Sequence, residues 1–407
     1  MQSVLDKLFA SDYQLLDGTD EIFELNFALW EYQNLKEGKL INRSAYFKSV
    51  KGKPTIHYQT CDLQNLEDIH KNSSLRTKAF FLEGKYSTGY ATHSLFPYRG
   101  KFHPQLIRVL LNMIGVRPGN VVLDPMSGSA TLSVEANLLN IDSVGFDVNP
   151  FCCLMGKVKT FSLNLDPIKL LDIGKESNTI FKRIHKEKVP TYFLEENDEK
   201  EKKYYEIFLL AYLDAVGFAR RSANSLENLF PRVLNRYIST IVNFQKVRQK
   251  LGLKIGKSKI QKGNVTNLPL PDNSIDGIIT SPPYSFAIDY VENDRPQLEY
   301  LGFDPKILKQ EMIGLKGRGI EEKLKLYFDD IQESLKEMSR VSKKNSIIVI
   351  IVGTNDIQTK GVILEKEIKD MADKENLKLK FEIIKPIKGM NNTMKSESIL
   401  FFNNVKV

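Results

Sequence analysis

The residues with the clearest chemical capacity are Ser281, Pro282, Pro283 and Tyr284, which follow directly on the apolar run 275–280. Two prolines fix φ, remove two N–H donors and hold Ser281 extended, so the run is stiff and presents acceptors. The Ser281 hydroxyl and the Pro282 carbonyl can each accept a hydrogen bond from a planar amino group, which draws the nitrogen lone pair out of conjugation and makes it nucleophilic. Tyr284 can stack on the heterocycle that carries the amine and hold it in line with an electrophile.

A second run, 121–131, reads as a strand, a turn of small residues and a helix, and contains Asp124, Pro125, Met126, Ser127, Gly128, Ser129 and Thr131. Such a turn aims backbone N–H groups and the positive end of a helix at a negatively charged ligand. Gly128 can take positive φ where the chain reverses, and Ser127, Ser129 and Ala130 are small enough for a cofactor to lie against the backbone. About 23 residues after Asp124, Asp147 ends the next strand, where a carboxylate grips ribose hydroxyls in a nucleotide-type fold. The spacings G-x-G-x-x-G and G-x-x-x-x-G-K-[ST] are absent from this run, which argues against a dinucleotide dehydrogenase and a P-loop NTPase.

These runs need a parallel sheet to carry them. Helix and strand signals alternate through 105–161: a helix over 106–114 stopped by Gly115 and Pro118-Gly119, a strand at 121–123, a helix at 132–139 and a strand at 144–146. The alternation resumes with a strand at 275–280, a helix at 324–341, a strand at 347–352, a helix at 362–371 and strands at 381–384 and 398–402. The segment 166–253 keeps helical spacing, and the first ninety or so residues are mixed, with an amphipathic piece at 23–32 and a strand-like stretch at 79–90. The expected divisions are a mixed α/β region at 1–95, the first part of an α/β core at 96–165, a helical insertion at 166–254 and the second part of the core at 255–407. The fold class is α/β, a doubly wound, mostly parallel Rossmann-like sheet with that insertion.

These motifs resemble those of the S-adenosylmethionine-dependent amino-methyltransferases, close to the DNA N4-cytosine and N6-adenine methylases. In that family D-P-x-x-G-S-x-T binds the methionine part of the cofactor and [SDN]-P-P-[YF] is the catalytic loop, which match Asp124 to Thr131 and Ser281 to Tyr284. The Ser-initial loop is similar to that of the N4-cytosine group more than the adenine group. The run Pro97-Tyr98-Arg99-Gly100-Lys101-Phe102-His103-Pro104 is similar to the segment that closes over the methionine end, so the resemblance adds Phe102 and His103 to the cofactor residues. Gly263-Asn264-Val265 matches a third motif and adds Asn264 and Val265. Two departures are visible: Asn264 stands where relatives often have an acidic residue, and Ala130 where many have a third Gly. The resemblance covers roughly half of the chain. It implies a Rossmann-like methyltransferase fold, S-adenosyl-L-methionine as cofactor, and methylation of an exocyclic amine, first N4 of cytosine in DNA. N6-adenine in DNA or a base in RNA remain alternatives. It also allows a restriction-modification role with a partner nuclease. A methylase-like module that binds nucleic acid without turnover is the alternative of another class, and the intact Ser281-Pro282-Pro283-Tyr284 argues against it.

Composition sharpens the partner. The chain has 407 residues, 42% hydrophobic and 27% charged, which excludes collagen-like and mostly disordered classes, and a net charge of +8. Residues 220–262 hold eleven basic side chains against one acidic, Glu227, so the rest of the chain is slightly acidic. Arg220, Arg221, Arg232, Arg236, Lys246 and Arg248 from this stretch, and Arg295 near the catalytic loop, are the candidate phosphate contacts. His103 reads as a capping or packing residue, because amine methylation needs no strong base before attack. The three cysteines, Cys61, Cys152 and Cys153, have neither disulfide nor zinc spacing, so no metal is expected. Cysteine usage, the start of the chain and the absence of a long apolar run suggest a soluble, cytoplasmic protein.

Overall fold

The computed structural model describes residues 7–17, 19, 21–62, 88–98, 100–186, 199–220, 223–283, 289–354, 359–387 and 396–406. The chain forms two compact units, one of residues 1–115, 134–140 and 158–255 and the other of 116–133, 141–157 and 256–407. The N-terminal region and the helical segment, set apart in the sequence-based division, share one unit.

In that first unit β1 (Tyr13–Leu15), β2 (Phe47–Val50) and β3 (Lys53–Pro54) form a small antiparallel sheet. The amphipathic piece at 23–32 lies in the helix Ile22–Asn34. The strand-like stretch at 79–90 lies outside the described residues up to 87, and 88–94 are turns. Two long helices, Glu199–Ala219 and Leu226–Leu251, pack together. The second buries Leu229, Phe230, Leu234, Tyr237, Ile241 and Phe244 along one stripe. Ser225 caps it by accepting from the Asn228 N–H at 3.3 Å, and Gly252 ends it at φ +62°.

A fully buried polar knot holds the helix Thr131–Leu138 in this unit at Glu135. Its carboxylate accepts from Arg108 Nε at 2.8 Å, Tyr90 OH at 2.6 Å and His93 Nε2 at 2.8 Å. Burial alone would raise the Glu135 carboxyl, but the Arg108 guanidinium and the His93 bond outweigh it and hold it at about 2. Burial lowers His93 to about 4, so its ring is neutral at pH 7 and donates from Nε2.

The second unit contains β4 (Val121–Asp124), β5 (Asp142–Asp147), β6 (Ser258–Lys262), β7 (Ile275–Thr280), β8 (Ser342–Val352), β9 (Leu377–Pro386) and β10 (Ser396–Asn404). They form one sheet in the order β6-β5-β4-β7-β8-β10-β9. Every neighbouring pair from β6 to β8 is parallel, and β10 is antiparallel to both β8 and β9. This is the Rossmann-like methyltransferase sheet expected from the sequence. Leu123 pairs with Val144 and with Ile278, and Ile278 with Ile348, so one apolar layer crosses four strands. Against it lie Ile331, Leu335 and Met338 of the helix Gly319–Val341, and Leu364 and Ile368 of the helix Leu364–Lys374. β6 was not foreseen: Ser258-Lys259-Ile260-Gln261-Lys262 buries Ile260 alone, as a polar edge strand does. The strand order reverses between β4 and β7, which places a crevice beyond their carboxyl ends.

Candidate active site

The loop after β4 is tied to the end of β5 by backbone bonds. The Ser127 N–H donates to the Phe146 carbonyl at 2.8 Å, and the Gly128 N–H to Asp147 Oδ2 at 2.8 Å. The loop lies so close to β5 that a Cβ added at Gly145 would come within 3.2 Å of Ser127 Cβ. Gly128 has φ +46° and Ala130 +59°. Ala130 is fully buried, and a Cβ on Gly156 would stand 3.1 Å from its own. A glycine at that position would adopt the same backbone without the left-handed cost an alanine bears.

Asp147, expected to grip ribose, also has partners within the protein. Its Oδ2 holds Gly128 and its Oδ1 accepts from the Asn149 N–H at 2.8 Å, so it first shapes the loop. Each oxygen keeps a further acceptor site. Burial pushes this carboxyl up to about 6, and the two backbone bonds oppose the rise. Asn149 in turn donates from Nδ2 to Asp294 Oδ2 at 2.9 Å, a link that the sequence reading missed.

Asp124, 1% exposed, ends β4. Its Oδ1 accepts from Thr280 Oγ1 at 2.8 Å and from the Met126 N–H at 3.2 Å, while Oδ2 is buried with no partner. Burial pushes the carboxyl up to about 7; the Thr280 and Met126 bonds pull it down, and the Asp147 charge adds to the rise. Ser127 Oγ is likewise buried with no partner. Ser129 Oγ and Thr131 Oγ1 bond each other at 3.1 Å. A bare carboxylate oxygen and a bare hydroxyl, three residues apart on one loop of small residues, are an incomplete set of partners. An ammonium and a carboxylate on one carbon supply what is missing, so these residues fit the amino-acid end of S-adenosylmethionine.

The target loop leaves β7 one residue beyond Thr280. Ser281 is half-buried, and Pro282 is buried over a small apolar cavity lined by Met126, Thr280, Ile331, Ser334, Leu335 and Met338. Pro283 is half-buried, and Tyr284 lies outside the described residues. Thr280 itself was not singled out in the sequence; its place between an apolar strand and Ser281 was the available signal.

The other expected residues are placed less uniformly. Asn264 Oδ1 accepts from the Thr266 N–H at 3.1 Å in its own turn, so this oxygen is already engaged. Val265 is in the core. Phe102 and His103 belong to the other unit, where His103 is the N-cap of the helix Pro104–Met113 without a side-chain cap bond. Pro125 and Met126 continue the loop, and Met126 packs against the core.

The basic segment 220–262 is divided between the units: its residues up to 255 belong to the helical unit and Lys257, Lys259 and Lys262 to the sheet unit. Arg232, Lys246 and Lys250 are exposed on one side of the helix Leu226–Leu251. Arg232 and Lys250 stand five turns apart, about 27 Å along the axis. Arg236, expected beside Arg232 as a phosphate contact, instead donates to the buried Asp214, which also accepts from Tyr237 OH at 3.1 Å. Arg248 bonds Gln245 Oε1 at 2.9 Å, Arg220 is exposed, and Arg221 lies outside the described residues. Arg295 makes surface ion pairs with Glu292 at 2.6 Å and Glu299 at 3.5 Å. Among the described residues no group of three His, Cys, Asp or Glu is arranged to hold a metal, and no helix is long and apolar enough to cross a membrane.

Residues 94–196 match the model of the family UPF0020, described as RMKL-like, methyltransferase domain. The chain is similar to the Type II methyltransferase M.MjaII of Methanocaldococcus jannaschii, 32% identical over 114 residues, which are 28% of this chain and 21% of that one. It is 23% identical over 291 residues to the Type II methyltransferase M.BsoBI of Geobacillus stearothermophilus, covering 58% of this chain and 57% of the relative. A shorter match, 37% over 54 residues, joins it to the tRNA (guanine(10)-N2)-dimethyltransferase of Methanothermobacter thermautotrophicus, with 13% of this chain and 16% of that one covered. The chain thus spans little more than half of the length of these relatives at most. The sheet order is that of a Rossmann-like S-adenosylmethionine-dependent methyltransferase fold, and the matched methyltransferase domain model spans the cofactor loop.

Proposed function

We propose that this chain methylates an exocyclic amino group of a base in nucleic acid, with N4 of cytosine in DNA as the first target. The observation that carries the reading is the Thr280 to Asp124 bond, which sets Ser281-Pro282-Pro283 beside the cofactor loop within one unit. Asp124 and Ser127 would hold the amino-acid end of the cofactor, with Asp147 fixing the loop around it. S-adenosylmethionine supplies an electrophilic methyl on sulfur when bound. Ser281 Oγ and the Pro282 carbonyl accept from the amino group, so its nitrogen lone pair points at that methyl. The new N–C bond forms as the C–S bond breaks, and the proton left on nitrogen passes to solvent. Tyr284 stacks the base, which must leave the helix stack to reach the loop.

The named relatives support a nucleic-acid substrate: two are Type II methyltransferases and one is a tRNA methyltransferase whose name places the methyl groups on N2, also an exocyclic amine. That third relative is the reason to test RNA beside DNA. Incubation with labelled S-adenosylmethionine and either genomic DNA or total RNA, followed by nucleoside digestion and mass spectrometry, is expected to yield N4-methylcytosine from DNA. Pro282→Ala and Tyr284→Ala should lose most transfer and still bind cofactor. Label in RNA alone would overturn the substrate, and label on adenine N6 would overturn the base.

A further inference from the structure

Thr280 is fully buried at the carboxyl end of β7, and its hydroxyl is spent on the neighbouring strand rather than on its own loop. β4 and β7 are paired in parallel at Val122 with Gly277 and Leu123 with Ile278, so the 2.8 Å bond to Asp124 Oδ1 joins two strand ends held in fixed register. With the Met126 N–H on the same oxygen, both donors are gathered on Oδ1 and Oδ2 is left bare. A carboxylate in an apolar setting is held in its charged form by such donors, and each removed donor favours the proton. The charged neighbour acting on Asp124 is Asp147 at the end of β5, which works against ionisation; from β7 the carboxylate is met by Thr280.

We infer that Thr280 is a positioning residue for the cofactor: its hydroxyl keeps Asp124 ionised and turns Oδ2 toward the ammonium of S-adenosylmethionine. The inference rests on the cofactor reading above. Its consequence is that the residue preceding the target loop sets the charge of the cofactor pocket, and that cofactor affinity follows the ionisation of Asp124.

The test is calorimetric titration of the full chain with S-adenosylhomocysteine, which shares the amino-acid end, from pH 6 to 8.5. Wild type is expected to bind more tightly as pH rises and to level off above the ionisation of Asp124. Thr280→Val should displace that rise upward by about one pH unit, weakening binding roughly fivefold at pH 7 and little at pH 8.5. Thr280→Ser, which restores the donor, should follow wild type. Thermal unfolding of each variant establishes that it is folded, and Thr280→Ala run in parallel serves if the valine is not. An unshifted profile in Thr280→Val, or an equal loss at every pH, would overturn the inference while leaving the cofactor reading intact. Absence of binding by wild type at every pH would overturn the cofactor reading and the inference with it.

Discussion

Asp124 and Glu135 lie eleven residues apart in the chain, both are buried, and they are opposite in electrostatic character. Glu135 has a guanidinium, a phenol and an imidazole on its two oxygens and is held at about 2. Asp124 has one hydroxyl and one backbone N–H on one oxygen, nothing on the other, and is pushed up to about 7. A carboxylate whose partners are complete within the protein braces the protein. One whose partners are incomplete is stable only if something else supplies them, and that is the mark of a binding group.

The largest effect that tests this contrast is on stability. Glu135→Gln strands the buried Arg108 charge and should cost about 3–5 kcal/mol in urea unfolding. Asp124→Asn removes a charge that burial disfavours, so stability should not fall, while cofactor affinity drops by about two orders of magnitude in calorimetry. Equal destabilisation by both substitutions would erase the distinction.

The two carboxyls also differ in the sign of their pH dependence. Asp124 is raised above its ordinary 3.8, so its contribution is present below that value and is lost as pH rises toward about 7. Glu135 is lowered below 4.5, so its contribution is present above that value and is lost as pH falls toward about 2. Urea midpoints should therefore show Asp124→Asn gaining on wild type between about pH 4 and pH 7, and Glu135→Gln losing the acid-side dependence.

A smaller effect separates nucleic-acid binding from structural support on the helix Leu226–Leu251. Neutralising Arg232, Lys246 and Lys250 should flatten the salt dependence of nucleic-acid binding by about one unit of log–log slope for each phosphate no longer neutralised, with the fold unchanged. Arg236→Gln should instead lower stability by about 2 kcal/mol, because it breaks the bond to buried Asp214. The smallest effect is Ala130→Gly, which relieves the left-handed backbone at φ +59° and should leave stability unchanged or raise it by up to about 1 kcal/mol.

The sequence made both loops legible because each follows a short apolar strand and consists of residues with restrictive backbone chemistry, Gly128 in one and Pro282-Pro283 in the other. Partners distant in the chain were not legible. Nothing near Arg236 announces Asp214, and nothing in the run to Asp147 shows that its carboxylate is taken by the Gly128 N–H. Ala130 reads as a small residue and only the backbone reveals its positive φ. β6 escaped because an edge strand with one buried side chain has no hydrophobic pattern to detect.

The place of β10 bears on how the protein is made. It lies between β8 and β9 and bonds to both, yet follows both in the chain. On the ribosome, at about 5–20 residues per second, β8 and β9 emerge seconds before the strand that joins them. During that interval the inward edge of β8 offers unpaired backbone and a run of isoleucines and valines to any neighbouring chain. Nascent-chain aggregation should thus concentrate at this edge, and a chaperone that shields it would act in that window.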